Sequence, residues 1–197
     1  MFAYTLLAVP VAYLLGAVPS AYIIGYFFAG VDMRAEGDGR ISAAAVYRRA
    51  GTIPFLLTII MDVGKGALAV YLATLLSSSV FIIYGAGVAV MLGHTWSVFL
   101  RFRGGLGATV MYGILAFLAF WQFIIAGILG GLFMLITRKS SLSTVVIIVF
   151  FAAIVIVQSI VQDTISIIVG FYSFILLLLM FIKRLQITVI TRKQGVT

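Results

Sequence analysis

Long apolar stretches alternate with short clusters of basic residues along this chain. The apolar stretches cover residues 1–30, 66–100, 104–137 and 140–182. Because basic residues beside membrane spans stay on the cytoplasmic side, the chain must cross the membrane an even number of times between consecutive clusters. A single helix over 104–137 would be about 50 Å long, against a hydrocarbon core of about 30 Å. Each of the three later stretches is therefore predicted to form a helical hairpin.

Polar residues mark the expected turn of each hairpin. They are Ser77–Ser79 in the first hairpin, Trp121–Gln122 in the second, and the polar group at 158–163 in the third. Residues 1–30 lack the basic start of a cleaved signal peptide and are predicted to cross once. The predicted fold is all-α and polytopic, with seven transmembrane helices, the N-terminus outside and the C-terminus cytoplasmic. If 104–137 were instead one tilted helix, the basic pair at 138–139 would face outward.

The composition supports a membrane protein. Hydrophobic residues make up 64% of the 197 residues and charged residues 9%, whereas a soluble domain is about 45–50% apolar and about 25% charged. This excess excludes a water-soluble fold, and it excludes disorder because disordered chains are poor in apolar residues. We therefore expect a single integral membrane domain over residues 1–197.

Charge and residue usage narrow the possible functions. The 13 Lys and Arg residues outnumber the 5 Asp and Glu residues, which gives a formal net charge of +8. Because the basic residues lie in short gaps between apolar stretches, they indicate topology and contact with anionic membrane lipids, not nucleic acid binding. The chain has no Cys and 1 His, so we expect no disulfide, no cysteine nucleophile, no metal site and no cofactor.

A charged, glycine-rich loop follows the first span at residues 32–42. It contains Arg34, Gly37, Gly39 and Arg40, together with three acidic residues. Its glycines could turn backbone N–H groups inward to bind an anion, with the two arginines adding positive charge. The alternative is a solvated loop whose acidic and basic side chains pair with each other.

A carboxylate and an amine interrupt an otherwise apolar helix at Asp62 and Lys65. Residues three apart share a helix face, so the two side chains are expected to pair. A structural ion pair that faces the helix bundle and a substrate contact explain this pattern equally well. Because Lys65 lies near the expected cytoplasmic end of the helix, its amine is expected to reach towards the membrane surface.

The only histidine, His94, precedes a basic and glycine-rich segment, RFRGGLG at residues 101–107. This segment opens the next helix, and free N–H groups at a helix N-terminus beside Arg103 favour phosphate binding. A histidine satisfied at the membrane interface is the alternative for His94. Two glycine-rich basic loops on one membrane face predict a pocket for an anionic, phosphorylated lipid substrate at the cytoplasmic leaflet.

Six segments of the chain resemble motifs of the bacterial acyl-phosphate:glycerol-3-phosphate acyltransferases. They are GAVPSAY at 16–22, D-x-R-x-x-G-x-G at 32–39, D-x-x-KG at 62–66, LGHTW at 92–96, FRGG-x-G at 102–107 and SSL at 140–142. The family is a seven-helix integral membrane enzyme of the bacterial inner membrane, with its motifs on the cytoplasmic side. The resemblance implies transfer of an acyl chain from acyl phosphate to the sn-1 hydroxyl of glycerol 3-phosphate. The products are lysophosphatidic acid and inorganic phosphate, the first committed step of phospholipid synthesis.

The motifs and the resemblance together indicate which residues form the site. We expect His94 and Arg103 to be catalytic. The residues expected to bind substrate or its phosphate are Arg34, Gly37, Gly39, Arg40, Lys65, Gly104, Gly105, Gly107, Ser141 and Arg184.

Several positions depart from the family pattern. The first motif, roughly G-S-G-N-x-G-A-T-N, reads GDGRISAAA at 37–45, and Leu106 stands where the family has the lysine of G-G-K-G. In the C-terminal R-x-N-I, the asparagine is Gln186. Three hypotheses stay open: an active acyltransferase in which Arg40 replaces the lost charge, a degenerate paralogue that binds a lipid or anion without turnover, and a small transporter. The nearly apolar spans disfavour the transporter.

Overall fold

The structure, a computed structural model, describes residues 2–30, 41–162 and 166–193. The regular elements in these ranges are helical, as the apolar pattern predicts. The α-helices are α1 (Phe2–Ala17), α2 (Ser20–Ala29), α3 (Ala43–Ala50), α4 (Thr52–Leu76), α5 (Val80–Thr95), α6 (Ala108–Leu118), α7 (Phe120–Thr137), α8 (Ser140–Gln162) and α9 (Ser166–Lys193). A short 3-10 turn lies at Val98–Leu100.

Six helical segments among the described residues are long and apolar enough to cross a membrane. They are Leu7–Ala29, Thr52–Leu76, Val80–Leu100, Phe120–Thr137, Leu142–Val161 and Ile167–Val189. Helix α6 is apolar but has only 11 residues, which is about 16 Å of helix and too short to span the hydrocarbon core. The chain is thus an all-helical, multi-pass membrane protein.

Two of the predicted breaks can be compared directly with the helix ends. The serine turn is confirmed, because α4 ends at Leu76 and α5 begins at Val80. The break predicted near Trp121–Gln122 is present a few residues earlier, because α6 and α7 separate at Ala119, where φ is −152° and ψ is 75°. Gln122 does not end a helix because its amide donates a hydrogen bond to Gln158 on α8.

The helices fall into two compact units, one within residues 1–114 and 182–197 and the other within 115–181. In the first unit α1 packs against α4 and α5, and α2 and α3 pack against α4. Backbone approaches there are close at glycines: a Cβ on Gly16 would collide with the carbonyl oxygen of Val90, and one on Gly93 with that of Tyr13. Small residues thus permit the α1–α5 contact.

The second unit is held together by the packing of α7 on α8. Gly130 on α7 lies against the side chain of Ile147 on α8, and the rings of Phe123 and Phe151 meet edge to face. These contacts use small and aromatic residues, which suit van der Waals packing in a bilayer.

The chain that enters α3 is anchored next to the 3-10 turn. Ile41 is buried in a cluster with Ala21 and Ile24 of α2, Val46 of α3 and Leu100 of the turn. Helix α3 begins after Ser42, whose Oγ accepts a hydrogen bond from the Ala45 N–H at 3.2 Å, a normal N-cap. This cluster holds the Ile41 backbone near the glycine-rich segment described below.

Candidate functional site

Asp62 and Lys65 form a buried ion pair on α4. Nζ of Lys65 lies 2.9 Å from Oδ1 of Asp62, and the side chains of Lys65 and Asp62 are 6% and 3% exposed, respectively. Lys65 also donates to the Val18 carbonyl at 3.0 Å and to Oγ of Ser20 at 3.2 Å. These three oxygens match the three N–H donors of an ammonium group in number. Lys65 therefore joins α4 to the break between α1 and α2.

This position corrects one expectation from the sequence. The Lys65 amine does not reach towards the membrane surface, because α4 continues on both sides of it from Thr52 to Leu76 and its side chain is buried. Its ion-pair partner and its two hydrogen-bond acceptors lie inside the protein.

His94 on α5 faces the same carboxylate. Its Nδ1 lies 3.7 Å from Oδ1 of Asp62, and its side chain is 13% exposed. This distance exceeds that of a hydrogen bond, so the contact is electrostatic. Oγ1 of Thr109, in the first turn of α6, donates to Oδ2 of Asp62 at 3.0 Å. Asp62 thus contacts groups on α4, α5 and α6, and Thr109 is a site residue that the sequence analysis missed.

The glycine-rich segment folds directly onto His94. A Cβ on Gly105 would lie 2.5 Å from Nε2 of His94 and 3.2 Å from the Ile41 carbonyl oxygen, and a Cβ on Gly104 would collide with the His94 carbonyl oxygen. Gly107 has a φ of +87°, a conformation that favours glycine. Each of the three predicted glycines therefore has a local steric or conformational reason to be glycine.

The backbone adopts the left-handed conformation at a pair of residues that precede these glycines. Arg101 has a φ of 51° and Phe102 a φ of 62°, which costs about 1–2 kcal/mol for each non-glycine residue. The Phe102 N–H donates to the Ser97 carbonyl at 2.8 Å, which closes the turn. The side chains of Arg101 and Arg103 are exposed. The predicted catalytic arginine thus lies at the open side of the turn, next to Gly104.

A lysine from α9 contacts this turn. The sequence analysis took the basic residues between apolar stretches only as an indication of topology and lipid contact. Lys183 is 4% exposed, and its Nζ lies 3.5 Å from the Phe102 carbonyl oxygen and 5.0 Å from the centre of the Trp96 ring. One helical turn further, Gln186 accepts a hydrogen bond from Nε1 of Trp96 at 3.0 Å. Lys183 and Gln186 lie three residues apart on one helix face, but nothing in the sequence points to their distant partners Phe102 and Trp96.

A small cavity lies beside the imidazole. Its lining includes Ser20, Ile41, His94, Ser97, Leu100 and Gly105. Ser97 uses its hydroxyl to donate to the Ala17 carbonyl at 2.6 Å, so the side chain of His94 is the titratable group that lines this cavity among these residues. The cavity thus brings the imidazole together with the backbone of the glycine-rich segment.

The remaining predicted residues can be placed only in part. Arg34, Gly37, Gly39 and Arg40 lie outside the described residues. Ser141 belongs to the first turn of α8 in the second unit, and its side chain is also outside the described part. Arg184 is exposed on α9, where its carbonyl oxygen accepts a hydrogen bond from Oγ1 of Thr188 at 3.0 Å.

Comparison with known sequences gives a match along most of the chain. Residues 6–192 match the family model described as glycerol-3-phosphate acyltransferase. Glycerol-3-phosphate acyltransferase 2 of Moorella thermoacetica is 38% identical over 124 residues, which cover 61% of this chain and 63% of that protein. The glycerol-3-phosphate acyltransferase of Thermus thermophilus is 43% identical over 98 residues, 48% of this chain and 49% of that protein. The chain therefore spans about half the length of the curated relatives it matches.

Solved structures with the same fold cover nearly the whole chain. The crystal structure of PlsY, an integral membrane glycerol 3-phosphate acyltransferase, in its glycerol 3-phosphate form superposes with a TM-score of 0.80 and 22% identity, covering 98% of this chain and 93% of that one. The lysophosphatidic acid form gives a TM-score of 0.78 at 20% identity. Because the family model accounts for residues 6–192, the chain belongs to the glycerol-3-phosphate acyltransferase family.

Proposed function

We propose that this protein transfers an acyl group from an acyl phosphate to glycerol 3-phosphate and so produces lysophosphatidic acid for phospholipid synthesis. Membership of the family supports this activity. The observation that carries the proposal is the position of His94, whose imidazole lies between the Asp62 carboxylate and the glycine-rich segment. That ring lines a small cavity, and a group that handles a proton must be within reach of the substrate.

The reaction needs one bond to form and one to break. The glycerol 3-phosphate hydroxyl oxygen attacks the acyl carbonyl carbon and forms the ester bond. The bond from that carbon to the bridging phosphate oxygen then breaks, and phosphate leaves with the electron pair. Nε2 of His94 takes the hydroxyl proton and returns it to the departing phosphate. Asp62, 3.7 Å from Nδ1, stabilises the imidazolium that forms in between.

We assign phosphate binding to groups around the start of α6. The first N–H groups of a helix lack intrahelical acceptors and carry a partial positive charge, which favours a phosphate. Arg103, exposed beside Gly104, would add a bidentate contact. The predicted contributions of Gly105, Gly107, Ser141 and Arg184 remain part of this proposal. The same holds for the loop residues Arg34, Gly37, Gly39 and Arg40.

We further propose seven membrane crossings, with the N-terminus outside and the C-terminus and functional loops on the cytoplasmic side. Helix α6 is an apolar helix of 11 residues that follows the glycine-rich segment, and we assign the additional crossing to these two together. The exposed basic side chains of Arg48, Arg49 and Arg103 fit the cytoplasmic side. The family match runs through both units, which supports one functional domain over 1–197.

The test is an assay of the purified protein in lipid nanodiscs with palmitoyl phosphate and glycerol 3-phosphate. We expect lysophosphatidic acid and inorganic phosphate to appear in equal amounts, and phosphate release to stop when glycerol 3-phosphate is omitted. Changing His94→Ala should lower kcat by about 10²–10⁴-fold, the usual contribution of general acid–base catalysis. Arg48→Ala, which removes an exposed charge on α3, is the matched control. Folded protein without turnover would instead favour the binding paralogue.

A further inference from the structure

We propose that Lys183 supplies the phosphate-binding cation that this chain lacks at Leu106. The inference rests on the acyltransferase function proposed above and names the group that contacts the substrate phosphate. It starts from a substitution in the glycine-rich segment: the family pattern G-G-K-G has a lysine where this chain has Leu106 between Gly105 and Gly107. A leucine side chain has no charge and no hydrogen-bond donor to offer a phosphate.

Lys183 is buried and has few partners for its charge. Its side chain is 4% exposed, and its one hydrogen bond in the described part of the chain is the long contact of 3.5 Å to the Phe102 carbonyl. The Trp96 ring, 5.0 Å away, adds a cation–π contact. No carboxylate among the described residues lies within salt-bridge distance of it. A buried ammonium with so little compensation gains from an anion that binds beside it.

Among the described residues, the second buried lysine of the first unit shows the contrast. Lys65 has an ion-pair partner at 2.9 Å and donates hydrogen bonds to a carbonyl at 3.0 Å and a hydroxyl at 3.2 Å. Among the described residues, Lys183 has one hydrogen-bond acceptor, at 3.5 Å, for the same three donors. Of these two lysines, Lys183 is therefore the one equipped to take a ligand.

The position of Lys183 also fits the role. Its carbonyl partner, Phe102, comes two residues before Gly104, and its aromatic partner, Trp96, comes two residues after His94. Trp96 is held from both sides, because its Nε1 donates to Gln186 at 3.0 Å and its carbonyl accepts from the Tyr13 hydroxyl at 2.8 Å. The ammonium is thus fixed to the segment that carries the imidazole and the glycines. Lys183 is thus placed beside the segment that leads through the glycines into α6.

The test uses four variants in nanodiscs: Lys183→Met, Lys183→Arg, Leu106→Lys, and Lys183→Met combined with Leu106→Lys. Methionine keeps most of the length of the apolar stem but removes the charge. We expect Lys183→Met to raise KM at least about tenfold for the substrate whose phosphate it contacts, as expected for loss of a hydrogen bond to a charged group. Separate KM values for palmitoyl phosphate and glycerol 3-phosphate identify that substrate. Lys183→Arg should keep most of the affinity, and adding Leu106→Lys to the Lys183→Met variant should restore it.

A binding measurement separates this inference from the proposed function. Inorganic phosphate and glycerol 3-phosphate should raise the Tm of the wild-type protein and of Arg48→Met, the charge-loss control, but not that of Lys183→Met. If the wild type has no turnover but this difference holds, the proposed function fails and the role of Lys183 stands. If Lys183→Met keeps both the KM values and the Tm shift, or if neither protein binds phosphate, the inference is overturned. A lower unliganded Tm that Leu106→Lys does not rescue would also overturn it, because Lys183 would then be only structural.

Discussion

The His94 imidazole occupies the space that a side chain at residue 105 would need. Nε2 of His94 lies 2.5 Å from the position of a Cβ on Gly105. The glycine-rich segment, which the sequence analysis predicts to bind phosphate, is thus also the surface on which the proposed catalytic base packs. Gly104 and Gly105 are needed for packing on His94 whether or not a phosphate is bound.

Changing Gly105→Ala should displace the imidazole, because the Ile41 carbonyl, 3.2 Å from the new methyl group, leaves that methyl group little room to move away. We expect kcat to fall by about 10²-fold or more, in line with misplacement of a catalytic group, and the Tm to fall as well, because overpacking costs about 1–3 kcal/mol. Gly64→Ala is the control, since a Cβ there meets nothing within 4 Å. Full activity in Gly105→Ala would show that His94 does not need its present position.

Changing Asp62→Asn should destabilise the protein, because it leaves the Lys65 charge buried without its carboxylate partner. We expect a loss of about 3–5 kcal/mol in the free energy of unfolding, measured by denaturant titration in detergent. The double variant Asp62→Asn with Lys65→Met should recover part of this loss, since it removes the uncompensated charge. A double variant less stable than the single one would mean that the Lys65 contacts to Val18 and Ser20 outweigh the ion pair.

Changing Gly93→Ala should weaken the contact between α1 and α5, because the new Cβ would collide with the Tyr13 carbonyl oxygen. Overpacking of this kind costs about 1–3 kcal/mol, which should appear as a lower Tm. Gly85→Ala on the same helix is the matched control, since its nearest neighbour would be the Val9 side chain at 3.6 Å. Equal Tm values for the two variants would argue against a tight α1–α5 crossing.

The proposed topology can be tested by cysteine labelling, because the chain has no native Cys. An impermeant maleimide added to intact spheroplasts should label Ser78→Cys in the outer turn. Lys139→Cys and Arg48→Cys should react only after permeabilisation. All three positions are exposed. Labelling of Lys139→Cys from outside would instead mean that residues 104–137 cross the membrane once.

Features with a local signal in the sequence could be predicted. The serine turn after α4 follows from three polar residues between apolar stretches, and the pairing of Asp62 with Lys65 follows from their spacing. The break at Ala119 has no such signal, because neither glycine, proline nor a polar residue stands at that position. Gln122 misled the prediction because its amide is satisfied by a residue on another helix.

Features that depend on distant partners could not be predicted. Thr109 contacts a carboxylate 47 positions away, and Lys183 contacts a carbonyl 81 positions away. A basic residue near the end of a membrane helix ordinarily indicates topology, so its charge alone does not separate Lys183 from its basic neighbours. Only the packing of α9 beside the turn at Phe102 reveals its contacts.

The hydrogen bond from Lys65 to the Val18 carbonyl has a consequence for how this protein can change. Val18 precedes Pro19, at the point where the first membrane segment is interrupted, and the lysine that serves this carbonyl also holds the carboxylate facing His94. The break between the first two helices and the position of the His94 imidazole therefore depend on the same pair of charges. A substitution at Asp62 or Lys65 is expected to change both at once, so neither position can change without affecting the site.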